Sequence, residues 1–327
     1  MEIAVTGATG HVGANLVRTL VDGGHRVRAL VHNGNQRGLE GVGCQLFDAD
    51  LADVASLERA FDGCERVFHL AARISIVPGD DALVHAVNVD GTRHVVAACE
   101  KTRVRRLIHF SSIHALSPDP HDQAIDETRA LTSSPRMPPY DRSKAQAERE
   151  VQAAVARGLD AIIVNPTAIL GPHDYGPSAM GRVLLDLYHR KLPALVDGGF
   201  DWVDVRDVVS GAIAAADRAP RGARYLLSGA RKTVAELASL VHQITGVRPP
   251  RLVSPMWLAR VGAPFATAVA RIAGKQPLYT SHSLHALRNH QLVSHDKATR
   301  ELGYAPRPLV ETLTAAYDWF RAQGALA

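Results

Sequence analysis

The sequence predicts an α/β fold, in which a doubly wound parallel sheet carries helices on both faces and a smaller α/β lobe is interleaved in the C-terminal half. Short apolar runs alternate with helical patterns through the first half of the chain, as expected of consecutive strand–helix units. A glycine-rich turn joins the first apolar run to the first helical pattern. A chain of 327 residues, 46% of them hydrophobic, is long enough for a large core and an additional lobe.

Composition and charge exclude several classes of protein. The formal charge is +4 and no polybasic run stands out, so we expect no nucleic-acid partner. Three isolated cysteines, Cys44, Cys64 and Cys99, predict reduced buried thiols in a cytoplasmic protein. The first predicted strand begins at Glu2, which leaves no room for a signal peptide. None of the 16 histidines shows a metal-ligand spacing, so no metal site is predicted.

The glycine-rich turn occupies residues 6–13 (TGATGHVG), between the first predicted strand and the first predicted helix. Strand, glycine turn and helix in this order are the setting of a dinucleotide-binding motif. Gly7 allows the tight turn, Gly10 lets the backbone approach a pyrophosphate, and Gly13 lets helix and strand pack closely. The phosphates would then lie at the helix N-terminus, where unpaired N–H groups favour an anion. The turn therefore predicts a dinucleotide site.

The end of the second predicted strand, residues 27–31, indicates which dinucleotide binds. NAD sites usually carry Asp or Glu about 20 residues after the glycines, to hold the ribose 2′-hydroxyl. This chain has His32 and Asn33 instead, and Arg37 follows. Because no carboxylate would repel a 2′-phosphate and these three side chains can bind one, the site favours NADP(H). NAD(H) is the alternative if Arg37 is only a solvated surface residue.

Several candidate residues follow the predicted strands directly. Residues 44–48, 66–72, 107–110 and 161–164 are predicted as strands three to six, and 54–61 and 81–102 as helices. Ligands bind beyond the carboxyl ends of parallel strands, so the residues that follow each strand are candidates for a binding site. They are Ser111 and Ser112 after the fifth strand. The small side chains of Ala71 and Ala72 at the end of the fourth strand leave space for a cofactor, and Asp50 and Leu51 follow the third strand.

Tyr140 and Lys144 lie one turn apart on a predicted helix that continues to residue 157. A free tyrosine ionises at about pH 10, and a neighbouring ammonium favours the phenolate. We therefore expect Lys144 to lower the pKa of Tyr140 and to make this phenol a proton donor or acceptor.

The second half is predicted to add a helix over 180–191, a segment that returns to the sheet at 202–208, a strand at 225–227, and helices over 233–245, 256–273 and 309–321. We expect residues 1–165, with about 202–228, to form the dinucleotide-binding domain. Residues 166–201 and 229–327 would form the substrate lobe, with the pocket between the two. Arg260, Pro264 and Arg271 argue against a spanning helix over 256–273. Pocket lining is the favoured role, and weak membrane contact is the alternative.

The motifs recur in a fixed order at residues 6–13, 50–51, 69–72, 88–92, 110–112, Tyr140 with Lys144, 165–167, 171–172, 203–208, 296–298, 301–304 and Pro306. In this order they resemble the extended short-chain dehydrogenases/reductases, over nearly the whole chain. Within that family the chain is similar to the dihydroflavonol-reductase-like branch, which includes bacterial proteins described as hopanoid-associated sugar epimerases. The resemblance implies a Rossmann-type fold.

The resemblance also implies roles for individual residues. Ser112 would hydrogen-bond the substrate oxygen, Tyr140 would transfer the proton, and Lys144 would bind the nicotinamide ribose. Asp50 and Leu51 would flank the adenine. The other residues placed at the cofactor are Gly7, Thr9, Gly10, His11, Val12, Gly13, Leu70, Ala71, Ala72, Asn88, Ser111, Pro166 and Thr167, and the substrate candidates by position alone are His114, Asn165 and Tyr175.

Two reactions share such a site. A reductase moves a hydride between NADP(H) and a carbonyl or alcohol, whereas a nucleotide-sugar epimerase or dehydratase leaves its bound NAD(P) unchanged overall. The sugar enzymes usually have Tyr-Gly shortly after Ser112, where this chain has residues 113–116 (IHAL), and an arginine in the turn at 198–202, which has none here. Arg182 or Arg224 could replace it. The apolar third quarter favours a relatively hydrophobic ketone or aldehyde, so we favour the reductase and keep the epimerase/dehydratase as the alternative.

A cofactor-sensing regulator is a third interpretation. Such proteins usually lose the tyrosine or the lysine, and this chain keeps both. A small-molecule substrate is therefore the expected partner. The helices over 81–102 and 140–157 resemble those that pair into a four-helix interface in the family, so a homodimer is also predicted.

Overall fold

A seven-stranded parallel sheet forms the centre of the larger part of the molecule, in a computed structural model that describes residues 1–74, 79–262, 280–289 and 292–326. The strands of this sheet and of the two smaller sheets are, in chain order, β1 Glu2–Thr6, β2 Arg26–Val31, β3 Gln45–Asp48, β4 Arg66–His69, β5 Arg106–Phe110, β6 Ala161–Pro166, β7 Ala168–Leu170, β8 Leu195–Val196, β9 Gly199–Asp204, β10 Arg224–Leu227, β11 Ala230–Thr233 and β12 Val253–Ser254. The helices are α1 His11–Asp22, α2 Val54–Phe61, α3 Asp81–His85, α4 Gly91–Thr102, α5 Pro139–Arg157, α6 Ala179–Tyr188, α7 Val205–Arg218, α8 Val234–Thr245, α9 Ser281–Ala286, α10 Asp296–Leu302 and α11 Leu309–Ala322.

The parallel sheet has the strand order β10-β6-β5-β4-β1-β2-β3. Every neighbouring pair in it runs parallel. The chain builds outward from β1 through β2 and β3, then crosses back to β4 and builds outward on the other side. This reversal confirms the doubly wound, Rossmann-type fold and leaves a crevice beyond the carboxyl ends of β1 and β4.

Two apolar cores, one on each face of the sheet, hold the helices in place. Leu16 of α1 and Val208 of α7 belong to one core. Leu57 of α2, Val95 of α4 and Val151 of α5 belong to the other. Because successive strand residues point to opposite faces, the central strands contribute side chains to both cores. The carboxyl edge of the sheet is therefore held between two packed helical layers.

A three-stranded sheet, β11-β9-β7, and helices α6, α8 and α11 share a further apolar core and form the smaller α/β lobe. The expectation that residues 202–208 return to the parallel sheet as one segment is wrong. β9 belongs to the smaller sheet and ends at Asp204. The Asp204 side chain accepts a hydrogen bond from the backbone N–H of Arg206 and so begins α7, which packs on the parallel sheet.

Three predicted elements differ from the observed ones. β4 ends at His69 rather than at residue 72, because the next two N–H groups donate to the Thr6 hydroxyl oxygen. The helix predicted over 81–102 contains a π-helical turn, Ala86–Asp90, between α3 and α4. The helix predicted over 256–273 is helical to residue 262, and the rest lies outside the described residues. Within those ranges, no helix is both long enough and apolar enough to cross a membrane.

The three cysteines are isolated thiols, as their sequence context predicts. Burial raises the pKa of Cys64 to about 11 and also raises the pKa of Cys99. Both therefore stay protonated at neutral pH and pack as small apolar side chains. Cys44 is partly exposed.

A buried charged cluster fixes α5 against β6 and β10. The Glu148 carboxylate is fully buried and accepts hydrogen bonds from the Arg224 guanidinium at 2.6 Å and the Asn165 side-chain amide at 2.5 Å. A buried charge that loses its partner is strongly destabilising, so the three side chains form one unit. The unit holds the helix that carries Tyr140 and Lys144.

We predict that Glu148→Ala lowers the free energy of unfolding by about 3–5 kcal/mol, because it leaves the Arg224 guanidinium buried without its partner. Glu150→Ala is the matched control on the same helix. It removes an exposed ion pair with Arg93, 2.8 Å long, and should cost at most about 1 kcal/mol. Urea denaturation followed by circular dichroism measures both losses. Equal losses would contradict the importance of the buried cluster.

Candidate active site

A cavity of about 500 Å³ lies at the carboxyl edge of the parallel sheet and reaches the smaller sheet. One group of lining residues comes from the turn between β1 and α1, the end of β5 and the first turns of α5. A second group is apolar and comes largely from the smaller lobe. Its members include Ile113, Ile169, Met180, Val183, Val196, Phe200, Trp202 and Leu287. The cavity thus lies between the parallel sheet and the smaller lobe, where the sequence predicted the pocket. Its apolar lining residues outnumber its polar ones.

The turn between β1 and α1 is shaped to receive a phosphate. Gly7 has a φ of +68°, and a Cβ there would lie 2.6 Å from the backbone nitrogen of Ala71. A Cβ on Gly13 would overlap the carbonyl oxygen of Gly7. Gly10 precedes α1, and no side chain caps the first N–H groups of that helix. Backbone N–H groups therefore remain for an anion in the cavity, which fits the diphosphate of a dinucleotide.

Most residues predicted at the cofactor line this cavity, namely Gly7, Gly10, His11, Val12, Gly13, Leu70, Ala72, Ser111, Tyr140, Lys144, Pro166 and Thr167. Thr9 and Ala71 adjoin them in the chain but are not part of the lining. Asp50 and Leu51 follow β3, at the neighbouring end of the same sheet edge. Cofactor contacts by the lining residues and by these four stay predictions.

The residues predicted to select the ribose lie at the ends of β2 and β3. The Nδ1 atom of His32 is 4.0 Å from an oxygen of Asp50, and both side chains are more than half exposed. Asn33 has a φ of +52°, a left-handed conformation that asparagine tolerates. The backbone N–H of Arg37 donates to the Asn35 side chain, and the Arg37 side chain is exposed. The polar groups there are accessible to a ligand from solvent.

Ser112, Tyr140 and Lys144 come together at the end of β5. A proline, Pro139, occupies the first position of α5 and places Tyr140 in the first turn. The Tyr140 and Ser112 hydroxyls lie close enough for Ser112 to lower the pKa of Tyr140. Lys144, one turn later, is buried, and its ammonium donates to the Phe110 carbonyl oxygen at 2.9 Å. Tyr140 and Lys144, one helical turn apart, thus lie beside Ser112 at the end of β5, as predicted.

The ionisation of this group differs from the expectation that Lys144 lowers the pKa of Tyr140. Burial is the largest effect and raises the pKa of Tyr140 to about 12, while the hydrogen bond with Ser112 opposes it. Burial also lowers the pKa of Lys144 to about 8, against the attraction of Glu148. At neutral pH Tyr140 is therefore a phenol and Lys144 is mostly charged. A protonated Tyr140 is suited to donate a proton.

His114 lines the cavity beside Tyr140 and is paired with Asp141. The Nδ1 atom of His114 lies 3.6 Å from an Asp141 carboxylate oxygen, and the His114 and Tyr140 rings meet edge to face at 6.1 Å. Burial lowers the pKa of His114, but Asp141 raises it, and the net pKa is raised. Asp141 was missed from the sequence, although it directly follows Tyr140. His114 thus offers a polar group to a substrate oxygen.

Two predicted contact residues act from behind the cavity instead. The Asn88 side chain is buried, accepts from the backbone N–H of Arg73, and donates to the Arg73 carbonyl and the Ser143 hydroxyl. The Asn165 side chain is fully buried and donates to the Ser112 carbonyl and to Glu148. Neither lines the cavity. The prediction of direct ligand contact is corrected for both residues, because their side-chain amides donate hydrogen bonds to neighbouring segments of the chain.

Tyr175 also needs correction as a substrate candidate. Its hydroxyl accepts a hydrogen bond from Arg18 at 2.7 Å, and the same guanidinium lies 5.1 Å from the centre of its ring. The ring meets Trp319 edge to face at 5.2 Å. Tyr175 therefore joins α1 to α11, outside the cavity lining.

Two buried histidines near Lys144 were not anticipated. Burial lowers the pKa of His69 to about 3, and the charge of Lys144 adds to this effect. The Thr92 hydroxyl donates to the Asn88 carbonyl and so accepts from His69 Nε2, which leaves Nδ1 to accept from Thr6. The His109 ring lies 5.4 Å from the His69 ring, and burial lowers its pKa too. Single buried histidines give no pattern in a sequence, so only the fold could show this network.

A second, more open cavity of about 940 Å³ lies next to the first, and His285 and Asn289 line both. Its lining includes Arg231, Arg260 and Arg288. Of the two arginines proposed to replace the missing one in the sugar enzymes, Arg224 is paired with Glu148, and Arg182 lines the first cavity. Arg231, on β11, was overlooked because β11 was not predicted.

A glycine turn shaped for a phosphate and a protonated tyrosine face one cavity here, and this arrangement is suited to nicotinamide-dependent chemistry on CH–OH or C=O groups. The chain belongs to the NAD-dependent epimerase/dehydratase family, the extended short-chain dehydrogenases/reductases, whose model matches residues 3–227. It is accordingly an NAD(P)-dependent enzyme that acts on these groups.

Comparisons with individual proteins agree. The chain is 37% identical to sterol demethylase protein B of Methylococcus capsulatus, over 99% of both chains. It is 32% identical to a putative dihydroflavonol 4-reductase of Synechocystis sp., over 98% of this chain and 94% of that protein. The crystal structure of gox2253 superposes with a TM-score of 0.87 at 34% identity and covers 99% of both chains.

Proposed function

We propose that the protein is an NADP(H)-dependent reductase of ketones or aldehydes on relatively apolar small molecules. The observation that carries this proposal is the composition of the 500 Å³ cavity, where Ser112 and Tyr140 face a lining that is otherwise largely apolar. Such a lining gains free energy by removing apolar substrate surface from water. Polar side chains such as Arg182, Asp201 and Asn289 also line the cavity, but apolar residues outnumber them. A sugar, with a hydroxyl on most carbons, would therefore lose more hydrogen bonds to water than an apolar molecule would.

The side chains divide the reduction among themselves. The bound nicotinamide would supply the hydride. Ser112 would hydrogen-bond the carbonyl oxygen, and Tyr140 would donate its phenolic proton to that oxygen as charge develops on it. The Lys144 ammonium, one turn away, would stabilise the phenolate that remains. His114, paired with Asp141, would contact a second polar group of the substrate.

The names of the relatives support an apolar substrate. One relative is named for a sterol and the other for a dihydroflavonol, and both kinds of molecule are ring systems less polar than a nucleotide sugar. The alternative is a nucleotide-sugar epimerase or dehydratase. The arginines of the 940 Å³ cavity favour it, since they could bind a diphosphate.

We predict that Tyr140→Phe lowers the rate of carbonyl-dependent NADPH oxidation by at least about 100-fold, because no phenol remains to protonate the oxygen. Absorbance of NADPH with trans-cinnamaldehyde and 2-decanone as substrates measures the rate. Tyr175→Phe, the same change outside the cavity, is the control and should leave the rate unchanged. Equal rates for the wild type and Tyr140→Phe would contradict the role of Tyr140.

The preference for NADP(H) is part of the same proposal. His32, Asn33 and Arg37 present accessible polar groups at the end of β2. A 2′-phosphate there would find a cation and two hydrogen-bonding side chains. The Asp50 carboxylate lies near His32, but Asp50 would contact the adenine and not the 2′-phosphate.

We predict that Arg37→Gln weakens NADPH binding roughly tenfold, because a charged hydrogen bond to the 2′-phosphate is lost. NADH lacks that phosphate, so its affinity should not change. Fluorescence titration of both cofactors against both proteins makes the comparison. Tighter binding of NADH than of NADPH by the wild type would overturn the preference, and equal losses for both cofactors would show that Arg37 acts on structure alone.

A further inference from the structure

One long segment of the sequence carries no acidic side chain. Neither Asp nor Glu occurs between Glu236 and Asp296, although the whole chain has 33 of them. Arg or Lys occurs six times in the same interval, at positions 248, 251, 260, 271, 275 and 288. The segment is therefore positive throughout, and no carboxylate within it offsets the charge.

The described part of this segment also exposes large apolar side chains. Leu252 and Trp257 are 69% and 67% exposed, and Val261 is 62% exposed. Trp257, Leu258 and Val261 fall at helical spacings of three and four, so they share one face of the helix that begins at residue 256. We call the following set the 248–261 surface: Arg248, Arg251, Leu252, Val253, Trp257, Leu258, Arg260 and Val261, all of them exposed.

We propose that the 248–261 surface docks the protein on the face of an anionic lipid bilayer. Trp257 and its aliphatic neighbours would enter the boundary between headgroups and acyl chains. Arg248, Arg251 and Arg260 would extend their apolar stems over the same region and keep their guanidinium groups at the phosphates. Attachment of this kind needs no spanning helix.

The charges favour a bilayer over a second copy of the chain as the occupant. In a two-fold interface the same patch faces itself, so the three arginines would meet arginines, with no carboxylate from the surface to pair with. An anionic bilayer offers negatively charged headgroups to the arginines and an apolar interior to Trp257 and its aliphatic neighbours.

The position of the surface connects it with the active site. β12, which contains Val253, pairs with β8, and Val196 of β8 lines the 500 Å³ cavity. Arg260 itself lines the neighbouring cavity. Docking would therefore bring both cavities close to the lipid from which an apolar molecule could enter. The docking itself does not depend on the proposed reaction.

Co-sedimentation of the full chain with sucrose-loaded vesicles tests the proposal. We expect binding to phosphatidylcholine vesicles that contain phosphatidylglycerol, and little binding to phosphatidylcholine alone. The double variant Arg251→Gln with Arg260→Gln should weaken binding roughly 25-fold, about five-fold for each arginine. Trp257→Ser should weaken it about tenfold. Two controls lie at exposed sites on α10 and α11. Arg300→Gln removes one arginine charge, Val310→Ser removes one apolar side chain, and both should bind as the wild type does.

Bromine-labelled phosphatidylglycerol then locates the contact, because bromine quenches tryptophan only at short range. Quenching in the wild type that is largely lost in Trp257→Phe is the expected result. No binding to the anionic vesicles would overturn the proposal, and so would binding that the surface variants leave unchanged. Light scattering that shows Trp257→Ser breaking a dimer, with vesicle binding unaltered, would assign the surface to a second copy or another protein instead.

Discussion

The hydrogen bond from the Lys144 ammonium to the Phe110 carbonyl, 2.9 Å long, is the contact on which the site depends. It joins the first turns of α5 to the end of β5, so that a residue one turn before Lys144 must face the residues that follow Phe110. Tyr140 and Ser112 meet for that reason. The buried Glu148 cluster holds the next turn of the same helix against β6 and β10. Two buried polar contacts therefore set the orientation of the helix that carries Tyr140 and Lys144.

The same burial accounts for the chemistry that the site supports. An apolar cavity raises the pKa of the Tyr140 phenol and lowers that of the Lys144 ammonium, because both charged forms lose water. Tyr140 is therefore a phenol at neutral pH. Reduction of a carbonyl needs an acid at this position, whereas oxidation of an alcohol needs a base. Under the proposed function, the low polarity of the cavity would favour both an apolar substrate and its reduction.

Much of the fold could be predicted because its signals are local. Apolar runs that alternate with helical patterns predict the parallel sheet, and the glycines of residues 6–13 predict the turn between β1 and α1. Ser112, Tyr140 and Lys144 were found because strand ends in a parallel sheet share one edge and because a helix brings positions four apart together. Each of these inferences needs only a short stretch of chain and one rule of geometry.

The residues that could not be predicted depend on contacts between distant parts of the chain. Asn165 follows the predicted strand 161–164, as ligand-binding residues do, but in the structure it lies within β6 and its side-chain amide donates to Glu148 and to the Ser112 carbonyl. The Tyr175 hydroxyl likewise accepts a hydrogen bond from Arg18, which holds it outside the cavity. Burial in the folded protein raises the pKa of Tyr140, so the expectation that Lys144 lowers this pKa, based on their spacing, had the wrong sign. The four-helix dimer stays a prediction, since it concerns the outer faces of α4 and α5.

The most direct test of the account follows the hydrogen itself. The protein is incubated with 2-decanone and NADPH that carries deuterium at the transferable position of the nicotinamide, and the product is analysed by mass spectrometry. The account predicts 2-decanol with one deuterium on the carbinol carbon, together with an equal amount of oxidised cofactor. Unchanged ketone, with UDP-glucose converted to an epimer and the cofactor not consumed, would contradict it.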